Sequence, residues 1–367
     1  RGRKLKVGYV SGDLRRHAVY FFIAPYLHHH DHEQVEVHVF STGRSDAYTE
    51  QLKAVVPHWH DVGDLSDAAL KELVQSHAMD VLVDLSGHTT GHRLEAFHQR
   101  LAPVQATWFG FIPTLGLRTM DYRLTDWRSV PHGAEAQYVE APYRMEAFTA
   151  YAMPGGFEGP YPPPHQNNGH VTMISLNHDR KIGDDALKMW KRILQRNPRT
   201  GLIIVSAQST DVAARNAFER RLRKHGLPAE RVAVVGQLPM DRYMNVSAVA
   251  DFALDSYPIS GGVTTFHCLA MGLPVLTVRP AEPIALYAYS ANTLETVGMP
   301  ECIADGPDAL VELATQWIQE PRRIDQARAK ARGALLSSPY MQHEARTREL
   351  EAAFKDMVMA RHESQLT

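Results

Sequence analysis

The sequence predicts an α/β protein made of two Rossmann-like halves, each with a parallel sheet. Its 367 residues exceed what one hydrophobic core usually organises, because single cores stop growing near ~250 to 300 residues. Apolar, β-rich runs alternate with helix-like stretches, which is typical of βαβ units. The alternation stops between residues 153 and 170, where Pro, Gly and amide residues predict a linker, and then restarts.

The predicted elements repeat the same order in both halves. The first half opens with LKVGYVSGD, typical of a buried parallel strand that ends in a turn, and a helix should follow it. Its later strands are predicted at 35–42, 79–87, 102–111 and 121–126, with a helix at 66–78. The second half has predicted strands at 171–177, 200–207, 231–236, 249–257 and 274–278. Its predicted helices are 185–197 and a basic helix that ends at 225.

These elements predict an N-terminal domain over 1–160, a C-terminal domain over 161–340 and a final helix over 341–367. Leu350, Phe354 and Met357 in that last segment fall at helical spacing. The helix either caps the domain that precedes it or packs back on the N-terminal domain.

Composition excludes several classes of protein. A net charge of −2 and a pI of about 6.9 argue against nucleic-acid binding, which needs a basic surface. No apolar run approaches the ~20 residues of a membrane span, so we expect no membrane partner. Cys268 and Cys302 are the only cysteines, which favours a reducing compartment, and we predict the cytoplasm. The chain lacks an initiator Met and its first strand begins at Leu5, so we expect a missing N-terminal region.

The strongest candidate site is the segment PISGGVTT, residues 258–265, which follows a predicted strand and opens a helix. Ligands of parallel sheets bind beyond the C-terminal ends of the strands. Gly261 and Gly262 allow close backbone approach, and Thr264 and Thr265 add hydroxyls at a helix N-terminus, as a diphosphate requires. The alternative is an ordinary helix cap by one of the threonines.

A second candidate is the segment 177–181, NHDRK, directly after the first strand of the second half. Lys181 there could offset the charge on a departing diphosphate. A solvated surface lysine is the alternative.

Longer motifs carry a resemblance over nearly the whole chain. In order they are DLRRH, LVDLSGHTTGHR, LAPVQATWFGF, MDYRLTD, LNHDRKIGDDALKMWKRIL, VADFALDSYP, GGVTT, MGLPVLT and SSPYMQHEARTRELE. Together they resemble the O-GlcNAc transferase family. The resemblance implies a GT-B fold, in which two Rossmann-like domains face each other across a cleft. It also implies inverting transfer of N-acetylglucosamine from the donor substrate UDP-GlcNAc to Ser or Thr hydroxyls of a protein or peptide acceptor. Neither a cofactor nor a metal is implied, and tetratricopeptide repeats would precede this region.

The resemblance assigns roles to individual residues. It places Lys181 and the pair Thr264 and Thr265 at the diphosphate, with Gly262 in the same loop, and His178 beside the nucleotide. The remaining assignments are Leu238 and Tyr243 at the base, Phe109 and Gly110 at the sugar pocket, and His17 at the sugar and acceptor. Imidazole suits a general base near neutral pH, although His17 could instead position groups.

Departures from the family pattern leave the donor open. Val263, Cys268 and Met240 replace a family histidine, aspartate and lysine, and residues 112–114 differ from the usual Pro-Gly-Thr loop. Three alternatives stay open: an N-linked hexosyltransferase using UDP-glucose, which shares the family's catalytic core, a UDP-sugar epimerase of the same two-lobed architecture, and a degenerate sugar-nucleotide-binding protein, which Val263 and Cys268 favour.

We predict no metal site from the motifs that could hold one. The tract of histidines at 28–32 is interpreted as a solvated loop. Asp251 and Asp255 lie on a strand, and His88 and His92 have no acidic third ligand nearby.

Overall fold

The computed structural model describes residues 3–366 and divides them into two compact units. One unit comprises the chain up to Ala152 together with the residues from Pro339 onward, and the other comprises Met153–Ser338. The first unit therefore ends eight residues before the predicted boundary, and the proline-rich segment belongs to the second unit.

The first unit has a seven-stranded parallel sheet in the order β3-β2-β1-β4-β5-β6-β7. Its strands are β1 Leu5–Ser11, β2 Val35–Ser41, β3 His58–Asp61, β4 Val81–Asp84, β5 Val104–Thr107, β6 Tyr122–Asp126 and β7 Ala141–Met145. Its helices are α1 Ala18–His29, α2 Ala47–Lys53, α3 Asp67–Ser76 and α4 Leu94–His98. Apolar side chains of β1, β2 and β4 form a core with those of α3 and α4.

The second unit has a six-stranded parallel sheet in the order β10-β9-β8-β11-β12-β13. Its strands are β8 Thr172–Ser175, β9 Gly201–Val205, β10 Val232–Val235, β11 Phe252–Leu254, β12 Val275–Arg279 and β13 Ile303–Asp305. Its helices are α5 His165–Asn168, α6 Asp184–Arg196, α7 Val212–Lys224, α8 Met240–Tyr243, α9 Val263–Ala270, α10 Ala285–Thr296, α11 Pro307–Gln319 and α12 Arg322–Leu336. Phe252 and Trp317 meet edge to face in the core, with ring centroids 5.7 Å apart.

The second sheet has the Rossmann strand order 3-2-1-4-5-6, and the first sheet has the same order with β7 added beyond β6. The order reverses between β1 and β4 in the first sheet and between β8 and β11 in the second. The loops that leave these strands diverge, and the crevice between them is where such sheets bind ligands. The second reversal is where the two candidate segments lie.

The last helix, α13 His343–Leu366, belongs to the first unit and packs on α1. Buried Glu351 of α13 accepts hydrogen bonds from His30 Nδ1 at 2.9 Å and from the Asp31 N–H at 2.8 Å. Tyr9 contacts the other nitrogen of His30 at 2.8 Å. The interpretation of residues 28–32 as a solvated loop was wrong, because α1 runs to His29 and His30 is buried as a neutral partner of Glu351.

Candidate functional site

Asn177 joins the two loops at the strand reversal of the second sheet. It follows β8 and is buried, and its amide nitrogen donates to Asp255 Oδ1 at 3.3 Å. Its amide oxygen accepts from Thr264 Oγ1 at 2.8 Å. One side chain thus connects the loop after β8, the end of β11 and the first turn of α9.

Asp255 organises the loop after β11 from within the protein. Its buried carboxylate accepts from the Gly261 N–H and Thr277 Oγ1, both at 2.7 Å, and from the Ser256 N–H at 2.9 Å. Burial raises the pKa of Asp255, while these donors and Lys181 oppose that shift. Because its contacts are all donors, the carboxylate holds the loop in one conformation.

Gly261 is required by the close packing of this loop. A Cβ at Gly261 would lie 2.7 Å from Thr264 Oγ1 and 2.9 Å from both Asn177 Oδ1 and Asp255 Oδ1. Such distances are too short for carbon, so a larger residue would push the loop away from Asn177. The next residue, Gly262, precedes α9 and provides no side-chain cap, and the first N–H groups of a helix lack the i−4 partner that later ones have. This helix end can therefore donate to an anion.

The two threonines of the loop have different environments. Thr264 is half-buried and holds Asn177, as described above. Thr265 is buried, and its hydroxyl lies 2.8 Å from the hydroxyl of Ser290 in α10. The Thr265 hydroxyl thus anchors α9 to α10. The resemblance placed Thr265 at the diphosphate and did not predict this contact.

Lys181 lies against the same loop. It ends a short 3-10 turn, Asp179–Lys181, and its ammonium donates to the Ser260 carbonyl at 3.4 Å. Burial lowers the pKa of Lys181, and the nearby Asp255 carboxylate opposes that change. The fold therefore brings the two candidate segments together at one sheet edge.

His178 lies toward the end of the neighbouring strand β9. Its Nδ1 accepts from the Arg180 N–H at 3.3 Å, and its Nε2 contacts the Gln208 amide closely. Burial lowers the pKa of His178, so the neutral imidazole predominates near neutral pH. Gln208 was not singled out from the sequence, although it follows a predicted strand just as His178 does.

Leu238 and Tyr243 follow β10 and are both half-buried. The Tyr243 ring meets the buried His267 of α9 edge to face, with centroids 5.7 Å apart. Tyr243 thus lies beside α9, the helix that begins within the candidate segment 258–265. Burial lowers the pKa of His267 to about 3, so this imidazole is neutral.

His17 lies in the first unit, on the loop after β1, where it caps α1. Its Nδ1 accepts from the Val19 N–H at 3.2 Å, and its nearest acid is Asp13 at 3.9 Å. A neutral imidazole that accepts at Nδ1 carries its proton on Nε2. Burial lowers the pKa of His17, with Asp13 acting in the opposite direction. In this geometry His17 presents a donor at Nε2.

Phe109 and Gly110 lie at the end of β5 in the first unit. The Phe109 ring is buried, with centroids 4.4 Å from Trp108 and 5.6 Å from Phe22. A Cβ at Gly110 would overlap the Leu85 carbonyl. Gly110 thus lets the loops after β4 and β5 lie close together, whereas the Phe109 side chain belongs to the core.

The motifs discounted as metal sites have other partners. His88 Nε2 lies 3.0 Å from the Leu115 carbonyl, and His92 Nδ1 accepts weakly from the Leu94 N–H at 3.4 Å. Asp251 accepts from the backbone N–H groups of Thr172 and His165 at 2.8 and 2.9 Å.

Comparison with known proteins agrees with this architecture. A family model described as Glycosyl transferase family 41 matches residues 1–150 and 165–350. The chain belongs to glycosyl transferase family 41. The resemblance drawn from the motifs is therefore confirmed.

Two relatives of this family 41 chain cover nearly all of it. One, from Solanum lycopersicum, is named "Probable UDP-N-acetylglucosamine--peptide N-acetylglucosaminyltransferase SPINDLY" and is 32% identical over 97% of the chain. The chain spans 39% of that relative's length. The other is a solved structure of a Thermobaculum terrenum O-GlcNAc transferase variant, 32% identical, with a TM-score of 0.92 over 99% of this chain and 69% of that one.

A more distant structure shares the fold alone. Anabaena Alr3699/HepE, solved with UDP and glucose, is 12% identical with a TM-score of 0.61, covering 95% of this chain and all of that one. Together with the two parallel sheets, these likenesses confirm the predicted GT-B type. Of the helices in residues 3–366, none has both the length and the apolar character needed to cross a bilayer.

Proposed function

We propose that this chain is the catalytic region of an enzyme that transfers N-acetylglucosamine from UDP-GlcNAc to Ser or Thr hydroxyls of proteins. The observation that carries the proposal is the link made by Asn177, which holds the Lys181 loop and the start of α9 at one sheet edge. The names of the family relatives support the donor and the peptide acceptor.

The donor's diphosphate needs positive charge and hydrogen-bond donors, and the second unit offers both. Lys181 supplies an ammonium, and the uncapped first turn of α9 supplies backbone N–H groups. As the bond from the sugar to UDP breaks, negative charge grows on the β-phosphate oxygen. A cation already placed there stabilises the transition state more than the ground state.

We infer a single displacement with inversion. The acceptor hydroxyl attacks the anomeric carbon, UDP leaves with the bonding electron pair, and the hydroxyl proton passes to a base. Because His17 Nδ1 accepts from the Val19 N–H, its proton lies on Nε2, so we assign His17 a positioning role as a donor toward sugar or acceptor oxygens. Lys181 and the helix end provide the charge that a metal supplies in other transferases, so the reaction requires no metal ion or cofactor. The two cysteines are free and buried, which supports a cytoplasmic site of action.

The test is a product analysis with the purified protein. It is incubated with UDP-GlcNAc, UDP-glucose or a GDP-linked sugar and with matched peptide libraries that contain Ser and Thr, or Asn in their place. We expect an N-acetylhexosamine on Ser or Thr by mass spectrometry, formed only from UDP-GlcNAc and with inverted anomeric configuration by NMR. A reaction without the protein serves as the control for background transfer.

Each alternative predicts a different product. Hexose on Asn would identify an N-linked hexosyltransferase, and an epimerised UDP-sugar without transfer would identify an epimerase. Donor binding without turnover of any donor would identify a degenerate binding protein. Any of these three results would overturn the proposed transfer.

A further inference from the structure

Four histidines gather at one edge of the first sheet, away from the strand ends used above. They are His38 on β2, His58 and His60 on β3, and His77 directly after α3. The ring centroid of His38 lies 4.4 Å from that of His58 and 4.9 Å from that of His77. The ring centroids of His60 and His77 are 4.7 Å apart. The transfer reaction proposed above uses none of these residues.

The fold explains why these residues meet. His58 and His60 are two apart on a strand, so their side chains share one face of the sheet. His38 is paired in register with His58 on the neighbouring strand. The chain then passes through α3, whose C-terminal end brings His77 over the same face. The cluster is not apparent in the sequence, because its members are spread from residue 38 to residue 77.

The nitrogen atoms have the spacing of metal ligands. One nitrogen from each of His38, His60 and His77 lies within 4.8 Å of the others, and His38 Nδ1 is 3.2 Å from His60 Nε2. Two imidazole nitrogens bound to one tetrahedral Zn²⁺ at ~2.0 to 2.1 Å are separated by about 3.3 Å. The existing separation therefore fits two ligands of one ion without movement of either strand.

Glu36 sets the tautomer of the most buried histidine. Its carboxylate oxygen lies 2.9 Å from His38 Nε2, and since a carboxylate only accepts, Nε2 carries the proton. His38 Nδ1 is then left without a proton, directed at His60. A carboxylate on the distal nitrogen is the usual outer partner of a metal-bound histidine. Lys6, 3.4 Å from the same Glu36 oxygen, holds the carboxylate in place.

Two of the proposed ligands, His38 and His60, are uncharged near neutral pH, and the cluster is open to solvent. Burial lowers the pKa values of His38 and His60, that of His60 to about 4, and the neighbouring imidazoles add to both shifts. Neutral imidazole is the form that binds metals. His38 is buried, whereas His60 and His77 are half-buried, so an ion can reach the site from solvent.

We propose that His38, His60 and His77 bind one Zn²⁺ ion, with Glu36 as the outer partner of His38 and water as the fourth ligand. The ion would connect the edge strand β3 to the end of α3 and so stabilise the first unit. A second grouping, Glu36 with His38 and His58, shares the same central histidine. We favour the three-histidine set because Glu36 already holds His38 and Lys6, and because His58 is exposed at the sheet edge.

The experiment uses the untagged chain after chelator treatment and dialysis. Zn²⁺ affinity and stoichiometry are measured by competition with a chromophoric chelator, and thermal unfolding is followed with and without Zn²⁺. We expect one equivalent to bind and to raise the melting temperature, because a ligand that binds only the folded state stabilises it. Absence of binding, or binding with no rise in melting temperature, would overturn the proposal.

Variants at half-buried or exposed positions identify the ligands while leaving the core intact, which circular dichroism verifies. We expect His60→Ala and His77→Ala each to weaken Zn²⁺ binding on the order of 100-fold, and Glu36→Gln about 10- to 100-fold. The matched control His58→Ala removes no ligand of the proposed set, so it should leave the affinity nearly unchanged. If His58→Ala abolishes binding while His77→Ala retains it, the three-histidine assignment is wrong.

Discussion

Asp84 and Asp255 occupy equivalent positions in the two sheets, each at the carboxyl end of the fourth strand in Rossmann order. Asp84 accepts from Thr107 Oγ1 at 2.9 Å, and Asp255 accepts from Thr277 Oγ1 at 2.7 Å. In both, the threonine lies on the fifth strand, and a following glycine N–H binds the carboxylate as well. Each half thus uses a buried carboxylate to shape the loop at its strand reversal.

This equivalence supplies a matched pair of variants. Thr277→Val and Thr107→Val each remove one hydroxyl donor from a buried carboxylate while keeping the side-chain shape. We expect each to lower the free energy of unfolding by about 1.5 to 3 kcal/mol. Only Thr277→Val should weaken UDP binding, because only Asp255 holds the loop at α9. Chemical denaturation and UDP calorimetry measure the two effects, and equal loss of UDP affinity in both variants would contradict the assignment of the donor to the second unit.

Removal of the Lys181 ammonium should lower turnover more than binding. The charge on departing UDP is greatest in the transition state, so we expect Lys181→Ala to reduce kcat on the order of 10²-fold or more, with a smaller loss of UDP affinity. Lys188→Ala is the control, since it removes the same charge from an exposed position on α6, where Lys188 donates to Asp185. A normal kcat in Lys181→Ala would remove this lysine from the proposed mechanism.

Substitutions of His17 separate its role in capping α1 from a role in transfer. His17→Ala loses both functions, whereas Ser is a good helix cap that lacks the imidazole. We expect transfer to fall by about 10²-fold in both variants, because the sugar and acceptor lose a group that orients them, while UDP affinity stays nearly unchanged. His17→Ser should recover about 1 kcal/mol of the stability lost in His17→Ala. Full transfer by His17→Ser would show that the histidine acts only as a cap.

Chelation should leave transfer unaffected. In the proposed mechanism Lys181 and the first turn of α9 balance the diphosphate charge, so turnover in excess EDTA should match that of untreated protein. The measurement is the initial rate before and after chelation, at a temperature well below unfolding. Activity lost in EDTA and restored by Mg²⁺ or Mn²⁺ would indicate a catalytic metal that the proposed mechanism lacks.

The buried carboxylate of α13 predicts a pH-dependent stability. Burial raises the pKa of Glu351, but hydrogen bonds from His30 and Arg348 outweigh it and lower the pKa to about 2. A carboxyl group whose pKa is lower in the folded state stabilises the fold at pH values above its unfolded pKa of ~4.3. This contribution is lost as the pH falls toward 2. Glu351→Gln should therefore be less stable by about 1 to 3 kcal/mol at neutral pH, with a difference that shrinks below about pH 4.3.

The control for this experiment lies on the same helix. Asp356 accepts a hydrogen bond from Tyr143 at 2.8 Å in an exposed position. Asp356→Asn should change the free energy of unfolding by less than about 0.5 kcal/mol. Denaturant titrations across the pH range compare the two variants, and a Glu351→Gln deficit that does not vary with pH would contradict the ionic origin of the effect.

The sequence by itself determined the α/β class, the two halves and the family. Continuous apolar runs identified the central strands, because a strand covered on both faces has a strong local signal. The sequence did not reveal the strands β3, β7 and β13, all of which are edge strands of their sheets. Edge strands are less buried, so their composition is closer to that of loops; β3 reads His-Trp-His-Asp.

Within the candidate site, the sequence determined which loops matter, since Gly, Thr and Lys follow central strands. Only the tertiary structure decided what each side chain does there. Asn177 became the link between two loops, and Thr265 became a buried partner of Ser290. His38, His60 and His77 met only through strand pairing and the return of α3. The physical reason is that composition and periodicity report burial along one segment, whereas a hydrogen bond or ligand set depends on atoms brought together from distant segments.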